Sequence, residues 1–320
     1  MGLSPQPAFS EAMPQHYLHP LFNARSVAVF GASEREDSVA GILFRNLRNA
    51  GYKGEVYPVN PKHDTVFGVP CYASAGELPV VPELALIATP APTVAPIMEA
   101  CGQRGIRHAI VLSAGFREVG AQGAALEDGV KAAAKKRGIR FIGPNCLGIQ
   151  RPSIGLNATF SQGATLSGDL ALVSQSGAIC TAMLDWAETN GIGFSSVIST
   201  GASADLDFGE ILDYLAFDTQ TRGILLYIEG IRDARHERCH ARHDVRLLIG
   251  RRNPVTHRVA NRQLKRIGRI VDQPTERFGP LLLEIVVGIP AVRNQRRADP
   301  QAVGQQHGER LLGRRLARAV

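Results

Sequence analysis

Residues 29–41 (VFGASEREDSVAG) join the end of a short apolar run to a turn that could hold a phosphate group. Gly31 permits a tight turn, Ser33 offers a hydroxyl, and a following helix would present free N–H groups and its positive dipole end. A dinucleotide fingerprint needs G-x-G-x-x-G, but Ala32 and Ser33 follow Gly31 here. A triphosphate loop needs Gly-Lys-Ser/Thr at its end, and this stretch has none. Phosphate binding and a plain strand-to-helix turn therefore both stay open.

Four further motifs follow short apolar runs in the first half of the chain: PVNPK (58–62), ATPAP (88–92), LSAGF (112–116) and GPNCLG (143–148). The runs have the length and continuous apolar character of buried parallel strands. Open α/β sheets bind ligands at the carboxyl ends of their parallel strands. We therefore expect these turns and the 29–41 turn to line one edge of a sheet.

A second group of polar residues lies further along the chain. VSQSGA (173–178) again runs from a strand into a helix, but it is not a serine-hydrolase elbow, because Ser174 replaces the glycine that G-x-S-x-G requires. Glu229 ends another apolar run, where a carboxylate is expensive to bury unless it is paired. The alternatives for these residues are another plain turn and a solvated acid at a strand end.

The elements that would position these residues alternate regularly from residue 26 onward. Strand-length apolar runs alternate with helix-like segments up to residue 143, which predicts a parallel sheet covered on both faces and, with right-handed crossovers, a Rossmann-like doubly wound domain. A second strand–helix series begins near residue 168 and continues to residue 230. Residues 150–167 lack periodicity and are predicted to link the two units.

As an ordered set, GASE, VNPK, TPAP, SAGF and GPNC resemble the α-subunit half of the NDP-forming acyl-CoA synthetases, relatives of succinyl-CoA synthetase. HYLHPLFNARSVAVFGAS is similar to the long forms of that family, some of which are fused to an acetyltransferase domain. The resemblance covers residues 16–235. It implies an N-terminal extension (1–20), a Rossmann-like CoA-binding domain (21–150), a truncated flavodoxin-like ligase domain (151–235) and a basic anomalous tail (236–320).

The resemblance implies a coenzyme A site at the carboxyl edge of the first sheet. A pyrophosphate and a 3′-phosphate suit one cationic side chain and a helix N-terminus. In the family's pattern GASE is the phosphate loop, the lysine meets a CoA phosphate, the two prolines lie beside the adenine, and SA lies near the pantetheine end. The matching residues are Gly31, Ala32, Ser33, Glu34, Lys62, Pro90, Pro92, Ser113 and Ala114.

The resemblance also implies a phosphoryl site in the second unit. There Ser176, Gly177 and Ala178 would donate hydrogen bonds to a phosphorylated histidine that Glu229 orients. The family's histidine lies in a Ser-His-Thr-Gly-like context, which none of the histidines after Glu229 shares, so the phosphohistidine is not identified. No later segment is long enough for the ATP-grasp domain. ATP or ADP and Mg²⁺ would therefore enter only through an ATP-grasp β-type subunit or domain.

Three functions remain in competition at this point. The favoured one is the CoA-binding part of an NDP-forming acyl-CoA (acetyl-CoA) synthetase that is inactive as a ligase by itself. The first alternative is a module that senses CoA or acyl-CoA for a protein acetyltransferase. The second is an NAD(H)-binding Rossmann protein, which needs an acidic ribose-binding residue at the end of the second strand. Asn60, Pro61 and Lys62 occupy that position and argue against it.

The net charge of +7 is unevenly distributed. Residues 1–235 hold 18 Lys and Arg against 22 Asp and Glu, whereas residues 236–320 hold 18 against 7. The tail is either a divergent C-terminal segment or the product of a reading-frame change near Arg235, which we favour because the strand and helix periods degrade there. A reading-frame change predicts a second domain that lacks its last strands, an exposed apolar edge and poor solubility. The tail is expected to be poorly ordered, and its composition predicts disorder beyond Arg293.

The remaining composition indicates a cytoplasmic protein. The five cysteines are scattered, odd in number and never spaced as Cys-x-x-Cys, which suits a reducing compartment. The sequence contains no run of about 18 apolar residues, so no membrane-spanning helix is expected. In HERCHARH (236–243), four neighbouring side chains on one short helix cannot all reach one metal ion tetrahedrally, so no metal site is expected. The basic tail has no nucleic-acid motif beside its charge, so no specific nucleic acid is expected.

Overall fold

The computed structural model describes residues 15–163 and 165–229, together with a two-residue strand at 283–284. It contains two main sheets, each packed against helices, and the second sheet follows the first along the sequence. The predictions for residues 236–320 lie outside the described residues apart from that strand. Among the described residues, no helix is long and apolar enough to cross a bilayer.

The first sheet has five parallel strands in the order β2-β1-β5-β6-β7. The strands are β1 (Ser26–Phe30), β2 (Glu55–Val59), β5 (Leu84–Ile87), β6 (His108–Val111) and β7 (Arg140–Ile142), while β3 (Thr65–Val66) and β4 (Val69–Pro70) form a separate antiparallel pair. The chain leaves β1 toward β2 and then returns past β1 to β5. The boundary between β1 and β5 is therefore the topological switch point, where such sheets bind ligands.

Helices cover both faces of this sheet. They are α1 (His19–Phe22), α2 (Val39–Asn49), α3 (Ala91–Arg104) and α4 (Ala121–Arg137), with short 3₁₀ turns at Ala75–Glu77 and Arg117–Val119. Alternate residues of β1 enter different cores: Val29 lies in the same buried cluster as Leu43 of α2, whereas Phe30 lies with Val94 of α3. The period of two along a strand directs these side chains to opposite faces. The doubly wound domain predicted from the sequence is confirmed.

The second sheet has the order β13-β12-β10-β11-β8-β9. Its strands are β8 (Gly148–Arg151), β9 (Leu156–Thr159), β10 (Ser167–Ser174), β11 (Phe194–Ser199), β12 (Gly223–Ile228) and β13 (Leu283–Glu284), its helices are α5 (Gly177–Thr189) and α6 (Phe208–Phe217), and Pro152–Ile154 forms a 3₁₀ turn. Strands β10, β11 and β12 are parallel, and β8, β9 and β13 pair antiparallel. The parallel strands again end beside helix starts.

The segment 150–167, which was predicted to link the two units, contains regular secondary structure. Those residues include the end of β8, all of β9 and the start of β10. Gln150 is only 2% exposed, and its amide nitrogen donates to Thr159 Oγ1 at 3.3 Å and to Ser161 Oγ at 3.1 Å. These buried polar groups satisfy one another, which makes the strands stable without an apolar pattern.

Strand β12 lies toward one side of the second sheet, where an exposed apolar edge was predicted. All six of its residues are partly exposed, unlike the fully buried residues of β11. At its carboxyl end, Tyr227 and Ile228 pair with β13. Two paired residues therefore cover part of this side of β12.

Polar contacts join the elements of the first sheet to those of the second. Asn46 of α2 donates from its side-chain amide to the carbonyl oxygens of Thr159 and Ser161, both at 2.8 Å. Near the N-terminus, Tyr17 donates its hydroxyl hydrogen to Glu210 of α6 at 2.7 Å. Helix α2, which follows the 29–41 turn, therefore packs against the second sheet as well as the first.

Candidate active site at the carboxyl edges of the two sheets

The turns singled out in the first half of the sequence meet along one edge of the first sheet. Backbone hydrogen bonds connect them in strand order: Gly31 N–H to Val59 O at 2.9 Å, Ala88 N–H to Phe30 O at 3.1 Å, and Leu112 N–H to Ile87 O at 2.9 Å. The GPNC turn joins the same array, because Asn145 N–H donates to Ser113 O at 2.9 Å. The edge is therefore one connected backbone surface.

Gly31 lies at the switch point and has a φ angle of +87°. A Cβ atom at this position would lie 2.7 Å from Ala88 O and 2.9 Å from Thr89 Cγ2. Only glycine combines this positive φ angle with so close an approach of two turns. The turn after β1 thus brings side-chain-free backbone to the switch point, where Gly31 is partly exposed.

Residues 32–38 fold back over the first turn of α2. Ser33 Oγ accepts from Arg35 N–H at 3.2 Å, and Ser38 caps the helix by accepting from Gly41 N–H at 3.0 Å. A Cβ on Gly41 would lie 2.2 Å from Arg35 O, so this glycine lets the loop lie directly on the helix. The stretch therefore leads into a helix N-terminus, although it lacks the glycine spacing of a dinucleotide fingerprint.

The charged side chains of this loop are largely engaged within the protein. Glu34 Oε1 accepts from Phe67 N–H, at the tip of the β3–β4 hairpin, at 2.6 Å. The Arg35 guanidinium lies 3.2 Å from the Asp37 carboxylate. The structure therefore gives Glu34 a role in holding the hairpin, while its backbone stays part of the loop.

The turn after β2 is fixed by one side chain. The Asn60 amide nitrogen donates to Ala32 O at 2.9 Å, and Asn60 Oδ1 accepts from Lys62 N–H at 3.0 Å. Lys62 itself is exposed, and its ammonium group makes no ion pair within the described part of the chain. Among the described residues, the end of β2 thus holds a cation that pairs with no carboxylate.

The turns after β5 and β6 complete this edge. Pro90, at the N-cap of α3, and Pro92 in its first turn are exposed. Ser113 is only 8% exposed, and its hydroxyl accepts from Thr89 N–H at 3.1 Å and donates to Ile87 O at 3.3 Å. Ser113 therefore shapes the neighbouring turn, while exposed Ala114 faces outward.

The VSQSGA residues Ser176, Gly177 and Ala178 lie at the start of α5. Ser176 is the N-cap, and its Oγ accepts from Ile179 N–H at 3.4 Å. The N–H groups of Gly177 and Ala178, in the first turn, have no acceptor within their own helix. The helix dipole adds positive potential there, so these groups form an anion-attracting start to the helix.

Glu229 follows β12 and lies beside this helix start. Its backbone N–H donates to Gln175 Oε1 at 2.6 Å, and Gln175 N–H donates to Tyr227 O at 3.1 Å. The Glu229 carboxylate is exposed, so this chain does not bury it at the strand end. Gln175, which the sequence analysis did not assign a role, links Glu229 to the VSQSGA turn.

The two groups of residues share a boundary. Leu147 N–H, in the GPNCLG turn, donates to Ser199 Oγ at 3.1 Å. Thr200 N–H donates to Ser174 O at 2.8 Å, and Ala202 N–H donates to Pro144 O at 2.9 Å. The loop after β11 therefore connects the first sheet to the second site. Its small polar residues (STG) at a strand end were the available sequence signal.

The cysteines near this boundary are poor nucleophiles. Burial raises the pKa of the Cys146 thiol, in the GPNCLG turn, to about 12. Burial likewise raises the pKa of Cys180, on α5, to about 12. A thiol must be a thiolate to attack, so neither side chain supplies a thiolate near neutral pH.

Two family matches cover most of the described residues. Residues 25–152 match the CoA binding domain family, and residues 167–246 match the succinyl-CoA ligase like flavodoxin domain family. An ADP-forming acetate–CoA ligase I of Archaeoglobus fulgidus is 45% identical over 215 residues, which are 67% of this chain and 31% of that protein. Residues 25–246 belong to the NDP-forming acyl-CoA synthetases.

Other members of the acyl-CoA synthetase family agree in sequence and fold. The α subunit of acetate–CoA ligase I of Pyrococcus furiosus is 40% identical over 68% of this chain and 48% of its own length. A solved acetyl-coenzyme A synthetase 1 of Candidatus Korarchaeum cryptofilum superposes with a TM-score of 0.68 at 37% identity, over 71% of this chain and 49% of that chain. The chain thus spans about half or less of these relatives.

The domain matches confirm the predicted fold class, a Rossmann-like CoA-binding domain followed by a flavodoxin-like domain of the succinyl-CoA ligase type. The second match extends to residue 246, beyond Arg235, the predicted end of the resemblance. Every residue for which the resemblance implies CoA contact lies in the first match, and Ser176–Ala178 and Glu229 lie in the second.

Proposed function

We propose that this chain is the CoA-binding part of an NDP-forming acyl-CoA synthetase of the acetyl-CoA type. The observation that carries the proposal is the connected backbone edge at the β1–β5 switch point, where Gly31 permits close approach. Lys62 adds a cation there that makes no ion pair with any described residue. Coenzyme A, when bound, supplies the thiol that accepts the acyl group.

The chemistry of the edge fits coenzyme A. Its phosphates need backbone N–H groups, a helix N-terminus and a cation, which the 31–33 turn, α2 and Lys62 supply. The exposed rings of Pro90 and Pro92 offer an apolar surface for the adenine. Ser113 shapes the 88–92 turn, and Ala114 leaves room for a narrow pantetheine arm. No acidic side chain stands at the end of β2 to bind a nicotinamide dinucleotide's ribose.

The second site supports a phosphoryl-transfer role that needs a partner. Ser176, Gly177 and Ala178 form a helix start suited to a phosphoryl group, and Glu229 lies beside it. A relative is named as the α subunit of its ligase. We therefore propose that an ATP-grasp β-type subunit or domain supplies ATP or ADP and Mg²⁺, and that this chain alone binds CoA or acyl-CoA without ligase turnover.

A calorimetric titration of the full chain tests the binding half of the proposal. CoA and acetyl-CoA should both bind, and NADH at the same concentrations should not. The matched control is Lys53→Ala, which removes an exposed lysine at the opposite, amino end of β2 and should leave CoA binding unchanged. Preference for NADH over CoA would overturn the proposal.

The ligase half has a separate test. The full chain is incubated with acetate, CoA and γ-phosphate-labelled ATP, and the protein is analysed for acid-labile phosphohistidine. We expect no acetyl-CoA and no label, because the nucleotide-binding domain is supplied by the partner. Label on any histidine of the isolated chain would contradict the proposed dependence on a partner.

A further inference from the structure

The β3–β4 hairpin ends in a residue whose backbone is strained. Phe67 has a φ angle of +49°, in the left-handed region, although it is bulky and not a glycine. Such a residue is uncommon there and persists when its surroundings hold it in place. Specific contacts from the β1–α2 segment hold this tip.

Four side chains of that segment hold Phe67. Glu34 Oε1 accepts from the Phe67 N–H at 2.6 Å, and Arg48 Nη1 donates to the Phe67 carbonyl at 2.9 Å. The Phe67 ring stacks on Phe44 with centroids 5.8 Å apart and planes 12° apart, and the Arg45 guanidinium lies 5.8 Å from the ring centroid. We call this set, with Phe67 at its centre, the Phe67 staple.

The staple fixes the far end of the segment that carries Lys62. The near end is fixed by Asn60, whose amide donates to Ala32 O at 2.9 Å. Between the two anchors, Cys71 N–H donates to Asp64 O at 2.9 Å and closes the hairpin base. The Lys62 backbone is thus held at both sides, toward the turn after β1, while its ammonium group forms no ion pair in the part of the chain that the structure describes.

The place of Lys62 in the sheet indicates which phosphate it meets. In a doubly wound nucleotide-binding domain, the residue at the end of the second strand faces the ribose, where an acid binds free hydroxyls and a cation accommodates a ribose phosphate. Pyrophosphate lies instead at the start of the first helix, which is α2 here. A lysine at the end of β2 therefore suits the ribose 3′-phosphate of CoA.

We propose that Phe67 is a positioning residue that holds Lys62 toward the ribose 3′-phosphate, and that the Phe67 staple sets the preference for CoA over dephospho-CoA. This inference rests on the proposed CoA-binding function. Phe67 acts through the backbone of residues 60–66 and does not itself touch the ligand. Its loss should weaken recognition of one phosphate and leave the rest of the site intact.

The test is a set of calorimetric titrations of the full chain with CoA and with dephospho-CoA. The wild type should bind CoA about tenfold more tightly, the ratio expected for one charge-assisted hydrogen bond. Lys62→Ala should bring this ratio close to one, and Phe67→Ala should reduce it to about threefold or less. Both variants should bind dephospho-CoA about as well as the wild type does. Phe67→Tyr, which keeps the ring, should preserve the ratio.

Two further variants keep the outcome decisive. Lys53→Ala, at the amino end of β2, should leave the ratio unchanged. If Phe67→Ala does not fold, Arg48→Met removes one contact of the staple and should lower the ratio in the same direction. A folded staple variant with the wild-type ratio would overturn the inference, as would a wild type that binds both ligands equally. A wild type that binds neither would instead count against the proposed function.

Discussion

The side-chain amide of Asn60, at the end of β2, donates a hydrogen bond to the carbonyl oxygen of Ala32 in the turn after β1, 2.9 Å away. The oxygen of the same amide accepts from the backbone N–H of Lys62 at 3.0 Å. One side chain therefore fixes both the turn after β1 and the backbone of Lys62. The relative position of a backbone turn and a cation decides whether both meet one ligand.

Asn60→Ala should weaken CoA binding about five- to tenfold, because the turn and Lys62 lose their shared anchor. The free energy of unfolding should fall by only about 1 kcal/mol, since two modest hydrogen bonds are lost near the surface. Titration with CoA and urea unfolding measure the two effects. Asn190→Ala is the control, because its amide donates to Trp186 O at the end of α5, away from this edge. A loss of stability with unchanged affinity would contradict the prediction.

Gly31→Ala should destabilise the chain by roughly 2–4 kcal/mol. The added Cβ meets Ala88 O at 2.7 Å and the residue must keep a φ angle of +87°, so both overpacking and a left-handed backbone are penalised. Gly51→Ala separates the two effects, because Gly51 has a φ angle of +77° and open space around its Cβ position. We expect that control to lose about 1 kcal/mol in urea unfolding. Equal losses would show that the close approach at Gly31 does not matter.

Ser113→Ala should lower the free energy of unfolding by more than it weakens the free energy of CoA binding. The hydroxyl is buried and bonded to Thr89 N–H and Ile87 O, so its removal leaves a backbone N–H unsatisfied at a loss of about 1–2 kcal/mol. Thermal or urea unfolding gives the stability, and titration gives the affinity. A large affinity loss without destabilisation would mean that the hydroxyl contacts the ligand directly.

Asp218→Asn should destabilise the second unit by about 3 kcal/mol at neutral pH. Arg151 donates to both carboxylate oxygens at 2.7 Å, and the two side chains are only 3% and 6% exposed, so the variant leaves a buried charge uncompensated. Burial alone would raise the pKa of Asp218, but hydrogen bonds from Arg151 and Thr221 lower it below its usual value.

The acid dependence of the same pair follows from that lowered pKa. A depressed folded-state pKa contributes stability above the unfolded value of about 3.9, and this stability is lost as the pH falls through the lower folded value. The gap in unfolding free energy between wild type and Asp218→Asn should therefore be full above about pH 5 and shrink below about pH 4. Asp128→Asn, on the exposed face of α4, should show little difference at any of these pH values. A gap that grows on acidification would contradict the assignment.

Much of the fold was predictable because its parallel strands are buried on both faces. The apolar run SVAVF gives β1 at Ser26–Phe30, and the amphipathic stretch before Gly138 gives α4 at Ala121–Arg137. Turns with Gly, Pro and Asn mark the strand ends, so the common edge of the motifs was also predictable.

Other features were hidden because polar side chains stabilise them. Strand β8 contains Gln150 and Arg151, and β9 contains Asn157 and Thr159, all 6% exposed or less. Their hydrogen bonds to one another, and those of Arg151 to β11, replace the apolar alternation that marks a strand. The roles of Asn60 and Gln175 were missed for a related reason, since both act by hydrogen bonds to backbone groups that are distant in sequence.

The central claim is that coenzyme A is held at the carboxyl edge of the first sheet. Amide hydrogen exchange of the full chain, with and without saturating CoA, tests it most directly. The account predicts slower exchange in the segments 31–41, 60–67 and 88–93, with no change in residues 104–107 at the opposite edge. Protection at 104–107, or exchange unchanged at 31–41 under saturating CoA, would contradict it.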